Sequence, residues 1–91
     1  MIKEEKFFVY ILQSMKDFSF YIGQTDDLDA RMSKHANGMS KYTSSKRPWR
    51  LVYFEAYNAR TEALKREKQI KKMKSRIYIE NLVKNRFYQN P

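Results

Sequence analysis

The sequence predicts an α+β fold, a small three-stranded antiparallel sheet flanked by helices in the order β-β-α-β-α-α. Three observations point to it. Residues 6–25 hold two apolar, aromatic-rich runs split by a short polar turn. A third such run, 50–57, stands alone between polar stretches. The remaining intervals carry apolar residues at helical spacing, with capping residues ahead of them.

The first run, "KFFVYILQ", is nearly continuous in β-forming residues and reads as a strand. "SMKD" (14–17) reads as a turn and "FSFYIGQT" (18–25) as a second strand, so the pair forms a hairpin. "TDDLDARMSKHANG" reads as a helix capped by Thr25 or Asp26 and stopped at Asn37-Gly38. In it Leu28, Arg31, Met32 and His35 share one stripe, with Leu28 and Met32 expected inward and Arg31 and His35 at its edge. "MSKYTSSKRPW" is a polar, basic loop. In the third strand, simple alternation puts Leu51, Tyr53, Glu55 and Tyr57 on one face and Val52, Phe54 and Ala56 on the other. Asn58 is the expected cap of a helix over 59–74. Its apolar stripe is Ala59, Ala63 and Ile70, with Leu64 and Met73 at its margin and Glu67 inside it. Ser75 is expected to cap a last helix over 76–85, and 86–91 to form a loose tail. The whole, 1–91 with a core over about 7–83, reads as a single domain.

Composition narrows the functions. The chain has no cysteine and one histidine, which excludes disulfides, thiolate zinc sites and multi-histidine metal sites. No apolar run is long enough to span a membrane and no signal-peptide pattern opens the chain, so a cytoplasmic, non-membrane protein is expected. The net charge is +9, and it is lopsided: residues 1–58 hold nine Lys/Arg against seven Asp/Glu, residues 59–91 ten against three. A one-sided positive field suits a polyanion, and nucleic acid is the expected partner. The competing reading is a solvated basic face.

Several side chains stand out. Glu67 is a carboxylate in an apolar stripe, which needs a partner. That partner is either a cation such as Arg31 or a lysine, or a divalent metal completed by water and phosphate oxygens. Arg31 suits phosphate clamping and His35 suits proton relay, although each also has a bland reading as a satisfied boundary residue. Tyr10 and Tyr21 are either strand packing or chemistry. As a base, a phenol needs nearby cations to depress its pKa. Gly23, one of two glycines, marks a bulge or the close approach of another group.

These residues resemble the signature of the GIY-YIG endonuclease superfamily. "VYI" and "YIG" place ten residues between Tyr10 and Tyr21; "LDARMSKH" resembles the family's helical Arg-x-x-x-His segment, and "EALKREKQIK" the helix bearing its metal-binding glutamate. The layout is most similar to small stand-alone members related to the nuclease domain of bacterial excision-repair proteins, which implies a link to DNA repair. The first motif departs from the pattern at Phe8-Val9, and Asn81 is not taken as the asparagine some repair nucleases carry. The resemblance implies metal-dependent endonucleolytic hydrolysis of phosphodiesters, in DNA ahead of RNA, with one Mg²⁺ or Mn²⁺. It assigns Tyr10, Tyr21, Arg31 and His35 to catalysis and Glu67 to the metal, with Tyr10 the general base and its phenol acidified by surrounding cations. Gly23 would let backbone approach substrate. Lys41, Tyr42, Lys46 and Arg47 of the loop, and Lys65, Lys68, Lys71 and Lys72 of the helix, would hold the nucleic acid. Family enzymes usually gain specificity from attached modules, which leaves room for a protein subunit or a second copy as partner. A nucleic-acid-binding module without useful turnover is the alternative.

Overall fold

The computed structural model describes residues 5–85. Its elements follow the expected order: β1 (Phe7–Ser14), β2 (Phe20–Thr25), α1 (Leu28–Ala36), β3 (Trp49–Tyr57), α2 (Arg60–Met73) and α3 (Arg76–Lys84), with a 3-10 turn at Ser44–Lys46 before β3. The tail expected at 86–91 lies outside the described residues.

The sheet is antiparallel in the order β2-β1-β3. β1 is therefore central, and helices cover both of its faces. That explains why Val9, Tyr10, Ile11 and Leu12 are all buried, and why the first run is continuously apolar rather than alternating. On one face Val9, Ile11, Val52 and Tyr53 pack against Ala63 and Ile70 of α2 and Ile79 of α3. On the other face Tyr10 meets α1 through His35. Leu64 and Met73, expected at the margin of the α2 stripe, are exposed.

The strand β3 does not alternate simply. Ile11 pairs with Tyr53 but Leu12 with Leu51, so Val52 is an extra residue in a bulge. The bulge turns Val52 inward beside Tyr53 and moves Leu51 to the opposite face from the one alternation gives it.

Local hydrogen bonds explain the other boundary differences. β2 starts at Phe20 because Phe18 takes a left-handed φ of 62°. The Asp17 carboxylate accepts from Ser19 N at 3.0 Å, closing the turn. Helix α1 is capped by Asp27, which accepts from Ala30 N at 3.0 Å, and not by Thr25 or Asp26. Thr25 Oγ1 accepts instead from Asp27 N at 3.1 Å, one step upstream. The N-cap of α2 is Ala59, whose side chain cannot cap. Asn58, the expected cap, accepts from Lys6 Nζ at 2.6 Å. Ser75 caps α3 as expected, accepting from Tyr78 N at 3.1 Å.

A polar cluster sits on the face covered by α2 and α3. Arg66 of α2 donates to both carboxylate oxygens of Glu55 at 2.9 to 3.2 Å, and also to Tyr78 of α3 at 3.1 Å. Tyr53 and Tyr57 donate to the same carboxylate. Burial pushes the Glu55 carboxyl up, but the hydrogen bonds from Arg66, Tyr53 and Tyr57 more than offset it and hold the group below its usual range. One ion pair thus ties β3, α2 and α3 together.

Candidate active site

The site begins with a missing side chain. Tyr10 of β1 faces Gly23 of β2 across the ladder. A Cβ at position 23 would lie 2.5 Å from Tyr10 Cζ and 2.9 Å from Cε1, so only glycine lets the phenol lie over β2. The expected close approach at Gly23 is therefore made by Tyr10. Tyr21, two residues earlier on β2, shares that face by strand periodicity, and the two phenol rings stand 6.3 Å apart. Tyr10 is 0% exposed.

Helix α1 delivers the next two groups. His35 Nε2 is 3.0 Å from Tyr10 Oη, and the imidazole lies 5.8 Å from the Tyr10 ring and 5.3 Å from that of Tyr21. His35 is 2% exposed, whereas Leu28 and Met32 are only half-buried. His35, expected at the edge, is therefore the innermost residue of the stripe, while Leu28, Met32 and Arg31 are all half-buried. The inner face of α1 meets two phenols rather than aliphatic packing, so its polar residue goes inside. Arg31, one turn before His35, acts on Tyr10 both as a charge and as a hydrogen-bond donor.

Burial, together with the negative charge Tyr21 would carry when ionised, pushes the Tyr10 phenol up to about 12. Arg31 pulls it back, and Glu67 adds a smaller upward push. The expected acidification is thus opposed: one guanidinium does not outweigh loss of water. His35 is held below its ordinary value, first by burial and then by the Arg31 charge, so the imidazole is neutral near pH 7.

Glu67 lies on α2, and its charge is felt at Tyr10. Its side chain is 17% exposed and pairs with Lys71 Nζ at 3.0 Å, one helical turn on. A lysine is one of the partners expected for it. No group of three or more His, Cys, Asp or Glu side chains among the described residues is arranged to hold a metal. A single, mostly buried carboxylate whose charge is felt at Tyr10 fits a hard divalent cation only in one mode, with water and phosphate oxygens filling the other positions.

Compared with known families, residues 6–88 match the GIY-YIG catalytic domain. The chain belongs to the GIY-YIG family. It is a nuclease family, and the whole sheet and all three helices fall inside the match. The chain is 50% identical over 68 residues to the UPF0213 protein of Staphylococcus epidermidis, covering 74% of this chain and 82% of that one. It is 49% identical over 65 residues to a UPF0213 protein of Staphylococcus aureus, covering 70% and 78% respectively. The solution NMR structure of the UPF0213 protein from Bacillus halodurans superposes with a TM-score of 0.56 at 42% identity, covering 87% of this chain and 83% of that one.

The basic residues expected to hold nucleic acid divide into exposed and engaged groups. Lys41, Lys65, Lys68 and Lys72 are exposed, as is Tyr42 at 81%. Lys46 pairs with Asp17 at 3.3 Å. Arg47 folds back on its loop, donating to Ser44 O at 3.0 Å and Ala36 O at 3.4 Å. Its guanidinium fills the space beside Gly38, whose φ is +72°. Lys71 is committed to Glu67. Thr43, not among the residues expected at the site, is 0% exposed, and its Oγ1 lies 2.8 Å from His35 Nδ1. A lone threonine in a polar loop gives no sequence signal for such a contact.

Proposed function

We propose that this GIY-YIG protein is a metal-dependent endonuclease that hydrolyses phosphodiester bonds with one Mg²⁺ or Mn²⁺, in DNA ahead of RNA. The observation that carries this reading is the buried Tyr10–His35 hydrogen bond, with Arg31 and Tyr21 beside it on the same sheet face. Glu67 would hold the cation in place of Lys71, which is then released toward phosphate. When bound, the cation polarises a phosphate oxygen and offsets developing negative charge. Tyr10 takes a proton from the attacking water as it passes its own to His35 Nε2, so a phenol of raised pKa need not ionise first. The water oxygen bonds to phosphorus, the bond to the leaving oxygen breaks, and that oxygen recovers a proton from solvent. Arg31 stabilises the charge that grows on the phosphate. Tyr21 packs against His35 and keeps water from the imidazole.

One observation favours a second reading, a nucleic-acid-binding module without useful turnover. Lys71 already neutralises Glu67, so a phosphate could be bound with no metal present. A cleavage assay separates the two. Branched, duplex and single-stranded DNA and RNA are incubated with Mg²⁺ or Mn²⁺, wild type beside Glu67→Ala and Tyr10→Phe. The nuclease reading expects metal-dependent cleavage lost by roughly 10²-fold or more in both variants. Binding without cleavage on every substrate supports the second reading, and cleavage unchanged in Glu67→Ala removes that residue from the mechanism.

A further inference from the structure

The chain of contacts does not end at His35. Thr43 Oγ1 lies 2.8 Å from His35 Nδ1, and Ser40 O lies 3.4 Å beyond it. Thr43 is itself pinned, since its N–H donates to Ser40 O at 3.2 Å and its carbonyl accepts from Trp49 Nε1 at 2.7 Å. Trp49 in turn stands 6.3 Å from the Tyr21 ring, so the loop closes back on the site.

The direction of each hydrogen bond follows from the donors present. Arg31 can only donate, so it cannot receive the Tyr10 hydroxyl proton. His35 Nε2, at 3.0 Å, can receive it if that nitrogen carries no proton. A neutral imidazole then carries its one proton on Nδ1 and donates it to Thr43 Oγ1. Thr43 directs its own proton at Ser40 O, 3.4 Å away, an oxygen that also accepts from the N–H groups of Thr43 and Ser44 at 3.2 and 3.0 Å. A threonine offers Nδ1 an oxygen lone pair that no aliphatic residue of the same size could supply.

We propose that Thr43 is a positioning residue that fixes the tautomer of His35, holding the proton on Nδ1 and leaving Nε2 bare to receive the proton of Tyr10. The catalytic use of this arrangement rests on the nuclease reading above; the tautomer itself does not. The groups that face His35 are Tyr10 from β1, Tyr21 from β2, Arg31 from its own helix and Thr43 from the loop. None of the other three can serve Nδ1, because Thr43 already occupies it at bonding distance.

The test uses the fact that His35 is the only histidine of the chain. Protein labelled with ¹⁵N in histidine gives one pair of ring-nitrogen signals, which report directly where the proton sits. The expected result is the Nδ1-protonated form in wild type and in Thr43→Ser, with Thr43→Val shifted to the Nε2-protonated form. An Nε2 proton in wild type overturns the proposal even if Thr43→Val fails to fold, and so does an Nδ1 proton retained in folded Thr43→Val. In the cleavage assay Thr43→Val should lower kcat by roughly 10- to 100-fold, near or below the low end of what acid–base catalysis supplies, with KM little changed and Thr43→Ser restored. A wild type that shows the Nδ1 proton yet cleaves nothing sinks the nuclease reading and leaves the tautomer assignment standing.

Discussion

Tyr10, Gly23 and His35 form one unit at the scale of single residues. The phenol lies over β2 only because position 23 lacks a Cβ, and it meets His35 only because it lies there. Gly23→Ala should therefore destabilise by about 1–3 kcal/mol through overpacking, read from urea unfolding. A loss under about 0.5 kcal/mol would show that the Tyr10 ring moves aside freely. His35 supplies a second prediction. Its folded pKa lies below the ordinary value near 6.5, so the folded state favours the neutral ring. That contribution is complete above the ordinary value and is lost as pH falls through the folded one. Melting temperature should drop between pH 7.5 and 5 in wild type, and drop less in His35→Gln; equal drops would mean the titration belongs to other groups. The four catalytic candidates were legible because their spacing matches a family pattern. The raised phenol and the burial of His35 were not, because both depend on how tightly α1 closes on the sheet.

At the scale of elements, α2 and α3 share one polar anchor on β3, the Glu55 carboxylate, beside their apolar packing. Arg66 and Glu55 are each less than one-fifth exposed, and Tyr53, Tyr57 and Tyr78 complete their hydrogen bonds. Removing one partner leaves the other charge partly buried and unpaired. Arg66→Met should cost about 3 kcal/mol in chemical denaturation, and adding Glu55→Gln should recover a substantial part. Additive losses would show that the pair is not coupled. Nothing in the sequence joins these residues: Glu55 reads as one polar position among apolar strand residues, and Arg66 as one charge in a basic helix. The bulge at Val52 was hidden for a similar reason. Strand register belongs to a pair of strands, and β1 and β3 are separated by the whole of β2 and α1. Element order was readable because each element carries its own period and its own stops. The caps slipped where several acceptors stand in a row, as at Thr25, Asp26 and Asp27, since only the backbone decides which of them faces the open N–H groups.

Charge is the property of the molecule as a whole. The excess over residues 59–91 was legible from counting alone, and Lys65, Lys68 and Lys72 are exposed along α2. Each phosphate neutralised releases counterions, so affinity for nucleic acid should fall steeply with salt. Replacing all three lysines with glutamine should reduce the slope of log K against log salt by about 0.9 per lost contact on duplex, or about 0.7 on single strands. An unchanged slope would remove α2 from the nucleic-acid surface. Glu67 sharpens the test, because an anion facing phosphate is unfavourable unless a cation lies between them. Without divalent metal, Glu67→Gln removes a repulsion and frees Lys71, so binding measured by fluorescence anisotropy should tighten. With Mg²⁺ added, the advantage should vanish or reverse, because the glutamine no longer holds the ion that would bridge to phosphate. If the variant and wild type bind alike in both conditions, Glu67 does not face the nucleic acid, and the ion pair with Lys71 is its whole role.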